Sequence, residues 1–185
     1  MISHVIGFDD APFARAHRGD VPVVGAVFAG SRLDGVVVGR VRRDGANATG
    51  VVEKLVRESR FGAHLQAVLL QGIAMAGFNV VDIGALAAAL HLPVIVVARR
   101  APDLRAIERA LRTRVPGGAR KWRLIERAGP MEPCGAVWIQ RAGIDAAAAR
   151  ALVTRLAQSG QVPEPLRVAH LFAGALVTGS SRGRV

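Results

Sequence analysis

Cysteine is almost absent: Cys134 is the only one in 185 residues. No internal disulfide can form, and a multi-cysteine zinc site is excluded. A single thiol suits a reducing compartment and reads as a small apolar filler. Long apolar runs are missing as well. Runs such as those at residues 36–38, 67–70 and 94–98 fall far short of the ~20 residues needed to cross a bilayer, so no membrane span is expected. Residues 1–8 run straight into Asp9 and Asp10, leaving no long apolar stretch ahead of a cleavage site, and a cytoplasmic location is expected. No Gly-x-Ser-x-Gly elbow occurs, which argues against a Ser/His/Asp hydrolase. There is also no dinucleotide fingerprint. Acidic residues are scarce, 14 against 25 Lys and Arg, giving a net charge of +11 and a pI near 11.6. Such a surface attracts polyanions such as nucleic acid. Because Lys54 and Lys121 are the only lysines and Ala and Gly abound, the arginine excess also fits biased codon usage.

What is present reads as one α/β domain spanning residues 1–185. A chain that is 51% hydrophobic can bury one sizeable core. Residues 4–8 form a short apolar run ending in two aspartates. Residues 22–28 and 35–41 are β-branched runs, separated by Gly30 and an Asp34-Gly35 turn signal, and together the three predict an antiparallel meander. Residues 48–60 change period: Val51, Val52, Leu55 and Val56 share one face, and Glu53, Lys54, Arg57 and Glu58 the other. That pattern predicts an amphipathic helix, with Asn47 or Thr49 able to cap it. A buried strand at 67–70, a helix at 80–90, a buried strand at 93–98 and a helix at 103–114 then predict a βαβα unit. Further on, 121–126 and 136–139 are candidate strands, 145–158 a helix and 166–177 a last helix, followed by a basic, glycine-rich tail. This order, a meander followed by parallel βα units flanked by helices, is that of a ribonuclease-H-like mixed sheet.

The acidic residues fall where such a sheet concentrates chemistry. Asp9 and Asp10 end the first strand, and adjacent strand residues point to opposite faces, so only one can face a given site. Asp44 follows the third strand and Asp82 begins the helix after the fourth, so the carboxylates have the chance to gather near the middle of the sheet. Two carboxylates about 4 Å apart repel by ~1 kcal/mol in water and ~4 kcal/mol at an effective dielectric of 20, which a divalent cation relieves. Mg²⁺ suits carboxylate oxygens and water, and supports phosphoryl-transfer chemistry. Against this, aspartates at strand ends and helix starts are ordinary turn and cap residues. Residues 71–79 form a glycine-spaced loop after the fourth strand, a favoured place for a ligand. It lacks the Gly-Lys-Ser of a phosphate loop. Arg167 and His170 on the last helix, and Arg182 and Arg184 in the tail, are candidate phosphate contacts.

Four stretches, Val5-Ile6-Gly7-Phe8-Asp9-Asp10, Arg43-Asp44-Gly45, Gly77-Phe78-Asn79-Val80-Val81-Asp82 and Arg167-Val168-Ala169-His170-Leu171, resemble domain-of-unknown-function family ninety-nine nearly end to end. That family is similar to endonuclease V, a ribonuclease-H-like, Mg²⁺-dependent enzyme that cuts nucleic acid beside deaminated bases, and some members carry the label deoxyuridine endonuclease. The resemblance implies a metal-dependent endonuclease using Mg²⁺ or Mn²⁺, with DNA a more expected partner than RNA. Asp9 would be the first metal ligand, Asp44 a further one and Asp10 a supporting ligand or a group behind the ligands, with Asp9, Asp44 and Asp82 forming the catalytic set. Gly72, Asn79, Arg167, His170, Arg182 and Arg184 would contact the strand. The chain departs from the family pattern at Asn47, Gln71 and Ser180, each replacing an acid. Gln71 falls where endonuclease V supplies another metal-binding carboxylate, and a neutral amide holds Mg²⁺ less well.

Two further readings compete with the nuclease. One is a nucleic-acid-binding protein that keeps fold and charge without cleavage, favoured by those three departures. The other is a binding or scaffold protein whose arginines are compositional.

Overall fold

In the computed structural model, which describes residues 1–181, the β-branched runs form the strands and the 3.6-period segments the helices. In chain order these are β1 (His4–Asp10), β2 (Asp20–Ala29), β3 (Arg32–Arg42), α1 (Ala48–Glu58), β4 (Ala67–Gln71), β5 (Ala74–Met75), β6 (Asn79–Val80), α2 (Ile83–Leu90), β7 (Val94–Ala98), α3 (Leu104–Arg114), α4 (Gly118–Ala128), β8 (Glu132–Cys134), β9 (Val137–Ala142), α5 (Ala146–Leu156) and α6 (Glu164–Thr178). Seven strands make one sheet in the order β3-β2-β1-β4-β7-β9-β8, and β5 and β6 pair separately as a small ribbon. β1, β4 and β7 run parallel, while β2, β3 and β9 are antiparallel to their neighbours.

The side-chain period of two sorts the central strands onto two faces. Ile6, Phe8, Val68, Leu70, Val94 and Val96 pack with Val52 and Val56 of α1 and Leu86 of α2. Val5, Leu69, Ile95 and Val97 pack with Leu152 and Val153 of α5 and Leu166 and Ala169 of α6. The sheet is thus covered on both sides, as parallel strands require.

The structure differs from the sequence reading at several elements. Asp34-Gly35 lies inside β3, at a register irregularity opposite Val27 and Phe28, and the hairpin turns at Gly30 instead. Residues 121–126 belong to a helix, whose buried residues Gly118, Lys121 and Ile125 recur at i, i+3 and i+7. Ile125 packs with Leu111 of α3 and Val80. Gly118 lets α4 approach α3, since a Cβ there would sit 1.8 Å from the Leu111 carbonyl oxygen. α2 starts at Ile83 because Asp82, in an extended conformation, accepts the Ala85 N–H as its N-cap. Neither expected cap of α1 serves it directly. The Asn47 side chain accepts from the Arg42 N–H and from Asn79 Nδ2, and the Thr49 hydroxyl accepts the Asp82 N–H.

Candidate active site at the end of the central strand

β1 is an interior strand of the sheet, between β2 and β4, and its last residues, Asp9 and Asp10, stand at the edge where all the parallel strands end. Their alternation separates them. Asp9 follows Val5 and Gly7 onto the face covered by α6, whereas Asp10 follows Phe8 onto the other and accepts the Ala76 N–H at 3.0 Å. Asp9 is only 6% exposed. One of its oxygens accepts the Asp10 N–H (2.9 Å) and the other takes the Nδ1–H of His170 at 2.8 Å.

His170 reaches Asp9 because α6 lies close on β1. A Cβ at Gly7 would fall 2.6 Å from the Pro165 carbonyl carbon, so glycine permits the approach. The first turn of α6 is pinned by the buried Glu164, which accepts the Ser159 N–H and two-oxygen contacts from Arg167 at 2.7–3.0 Å. Burial alone would raise the Glu164 pKa, but these hydrogen bonds hold it below the ordinary range. The hydrogen bond to Asp9 raises the His170 pKa, against partial burial and the nearby cation of Arg99. Protonated at Nδ1 by this pairing, the ring has no partner for Nε2 among the described residues, and the side chain is 38% exposed.

Gln71 is the third polar group here. Phe8 pairs with Leu70 in the parallel register, so Gln71 lies one step further on beside Asp9, on the same face. Its Oε1 is buried without a hydrogen-bond partner. Burial, and then repulsion from Asp9, push the Asp10 carboxyl up to about 6. Asp9 and Gln71 fit a weakly held hard cation on their shared face: Asp9 brings the carboxylate, and Gln71 Oε1 is a buried oxygen without a donor. Mg²⁺ commonly takes one or two carboxylates and fills its shell with water. No group of three His, Cys, Asp or Glu side chains placed to hold a metal occurs among the described residues, so water would supply most of that shell.

Asp44 and Asp82 are not brought into this group. Asp44, at φ 51°, accepts the Phe78 N–H (2.8 Å) and pairs with Arg43 (3.2 Å), bracing the turn between β5 and β6. Its own N–H reaches the Ala76 carbonyl, so it joins Asp10 only through that turn. Asp82 caps α2 and pairs with Arg127 at 2.7 Å. Asn79 is fully buried, bonded to the Ala48 N–H, the Arg42 carbonyl and Asn47, and offers nothing to a strand. Gly72, at φ 82°, ends β4 beside Gln71, with its N–H on the Val97 carbonyl. Arg167 is engaged with Glu164. Arg182 and Arg184 lie outside the described residues. Two groups escaped the sequence reading: Glu164, whose i, i+3 spacing to Arg167 was the available signal, and the buried Lys121, hidden by assigning its segment to a strand.

A meander followed by parallel βα units, with a carboxylate ending the central strand, defines a ribonuclease-H-like α/β domain. Structural comparison agrees: an endonuclease V from Ciona intestinalis, solved with a 24mer DNA containing an inosine followed by a ribo-adenosine, superimposes with a TM-score of 0.60 at 12% identity, over 93% of this chain and 84% of that one. At that identity the likeness concerns the fold. The endonuclease dU family model matches residues 2–177, and the chain belongs to that family. A UPF0215 protein of Deinococcus radiodurans is 60% identical over 183 residues, covering 99% of this chain and 93% of that protein. A crystal structure from Archaeoglobus fulgidus matches with a TM-score of 0.89 and 33% identity, over 96% of this chain and 99% of that chain.

Proposed function

We propose that this protein is an endonuclease that hydrolyses phosphodiester bonds in DNA at deaminated bases, with Asp9 and His170 at its centre. The observation that carries the reading is the hydrogen bond between the buried Asp9 at the end of β1 and the partly exposed His170. Asp9 fixes the imidazole through Nδ1 and favours its protonated form, so Nε2 is able to donate a proton to the oxygen leaving phosphorus. Asp9 and Gln71, which share a face, would hold Mg²⁺ or Mn²⁺, which when bound supplies an activated water and charge stabilisation for phosphoryl transfer, while Asp10 stays on the other face bonded to the Ala76 N–H. The net charge of +11 supports backbone binding. The family description and the inosine-containing DNA bound by the Ciona enzyme support uracil or hypoxanthine as the lesion.

Purified protein should nick uracil- or hypoxanthine-containing oligonucleotides with Mg²⁺ or Mn²⁺, and Asp9→Asn should abolish nicking. Absence of metal-dependent nicking on every such substrate would remove the proposal. One observation favours a second reading, a binding protein without cleavage: the neutral amide of Gln71 stands where a second carboxylate would complete a metal site. That reading expects salt-sensitive DNA binding, because displaced counterions weaken affinity as salt rises, and nicking only after Gln71→Asp.

A further inference from the structure

Apart from the Asp9 edge, the molecule carries a cleft of about 1040 Å³ between α4 and the segments that begin α1 and α2. Its floor is aliphatic, with Val80, Pro116 and Leu124, and its α4 wall is cationic. Two of its acids are already neutralised, Asp82 by Arg127 and Asp44 by Arg43. Arg120, Lys121 and Arg123 then face a single remaining carboxylate, Glu126. None of these three cations has a carboxylate within ion-pair distance among the described residues.

Lys121 is the unusual member. It is 4% exposed, and its ammonium is held by one acceptor, the Asp44 carbonyl oxygen, leaving two of its three donors without one. Burial weakens its hold on the proton, with the nearby Asp44 only partly offsetting that. A buried ammonium lacking an anion is costly, and a ligand that brings one removes the cost.

We propose that this cleft is a phosphate-binding subsite, in which Lys121, flanked by Arg120 and Arg123, takes one phosphate of a nucleotide whose sugar and base lie on the Val80–Pro116–Leu124 floor. The source expected for that phosphate, the substrate strand, rests on the nuclease reading; the site itself rests on the cleft. Asp44 links the two regions, lining the cleft while its backbone N–H meets the Ala76 carbonyl beside Asp10.

The test is binding to Asp9→Asn protein, which removes cleavage from the measurement. The probes are a fluorescent single-stranded oligonucleotide, dUMP and inorganic phosphate. Lys121→Met, which keeps the aliphatic stem, should weaken dUMP at least tenfold. Arg120→Ala with Arg123→Ala, both at exposed positions, should weaken the oligonucleotide and lower the salt slope of its affinity by up to about two. Oligonucleotide displaced by dUMP identifies the strand as the source, and binding of dUMP or phosphate alone identifies a free ligand; both support the subsite. Unchanged affinity and salt slope overturn it, and the double variant decides if Lys121→Met fails to fold. Wild-type protein that never nicks while Lys121→Met loses binding removes the nuclease and keeps the subsite. Nicking with no variant affecting binding does the reverse.

Discussion

Asp9 spends one carboxylate oxygen on the Asp10 N–H and the other on His170, so each side chain depends on the other for its orientation. Stability and charge are therefore linked at this site. The His170 pKa is raised in the folded protein, so the stability from its protonated form is fully present below the unfolded value of about 6.5 and is lost as pH rises through the folded value. An NMR titration of the His170 ring should show its midpoint moving to lower pH in Asp9→Asn. Asp10 has the same sign for a different cause. Its folded pKa of about 6, against 3.8, means that its ionised form opposes folding above about pH 6, by roughly 3 kcal/mol at 1.36 kcal/mol per unit. Asp10→Asn keeps an acceptor for the Ala76 N–H. It should raise Tm at pH 8 and change it much less at pH 4, as thermal melts at the two values would show.

α6 sets the site by its closeness to β1, and that closeness depends on Gly7. Gly7→Ala places a Cβ against the backbone of Pro165, an overpacking that should cost about 1–3 kcal/mol and weaken nicking by shifting His170. Denaturant melts and rates measure both effects. α2 makes the contrasting case. Asp82→Ala removes an N-cap and an exposed ion pair, so it should cost about 1 kcal/mol and leave nicking intact. The strands β1 to β4 and β7 and the helix α1 were legible because apolar runs and a 3.6 period write them directly into the chain. α4 was not, because Lys121 occupies a buried position where its charge disguises the helical stripe it shares with Ile125. The acidic group was half legible. Asp9 does end β1, as the apolar run before it implied, but Asp44 and Asp82 occupy similar element ends and turned out to brace a turn and cap a helix. Side-chain direction decides between these roles, and spacing does not reveal it. The Asp9–His170 bond joins residues 161 apart in sequence, beyond any local pattern.

Across the whole molecule, the sheet brings the ends of β1, β4 and β7 to one edge, and α4 adds its cationic wall to the turn segments on one side of it. With a net charge of +11, DNA affinity should fall steeply as salt rises, by tenfold or more between 50 and 200 mM if several phosphates are neutralised. Fluorescence anisotropy against salt concentration measures that slope. The most direct trial of the Asp9–His170 centre is a side-by-side nicking assay of wild type, Asp9→Asn, His170→Ala and Asp82→Ala on one uracil-containing duplex with Mn²⁺. Wild type and Asp82→Ala should cleave, Asp9→Asn should not, and His170→Ala should be reduced by about 10²–10⁴-fold. Cleavage by Asp9→Asn at the wild-type rate, or its loss in Asp82→Ala alone, would contradict an Asp9–His170 centre.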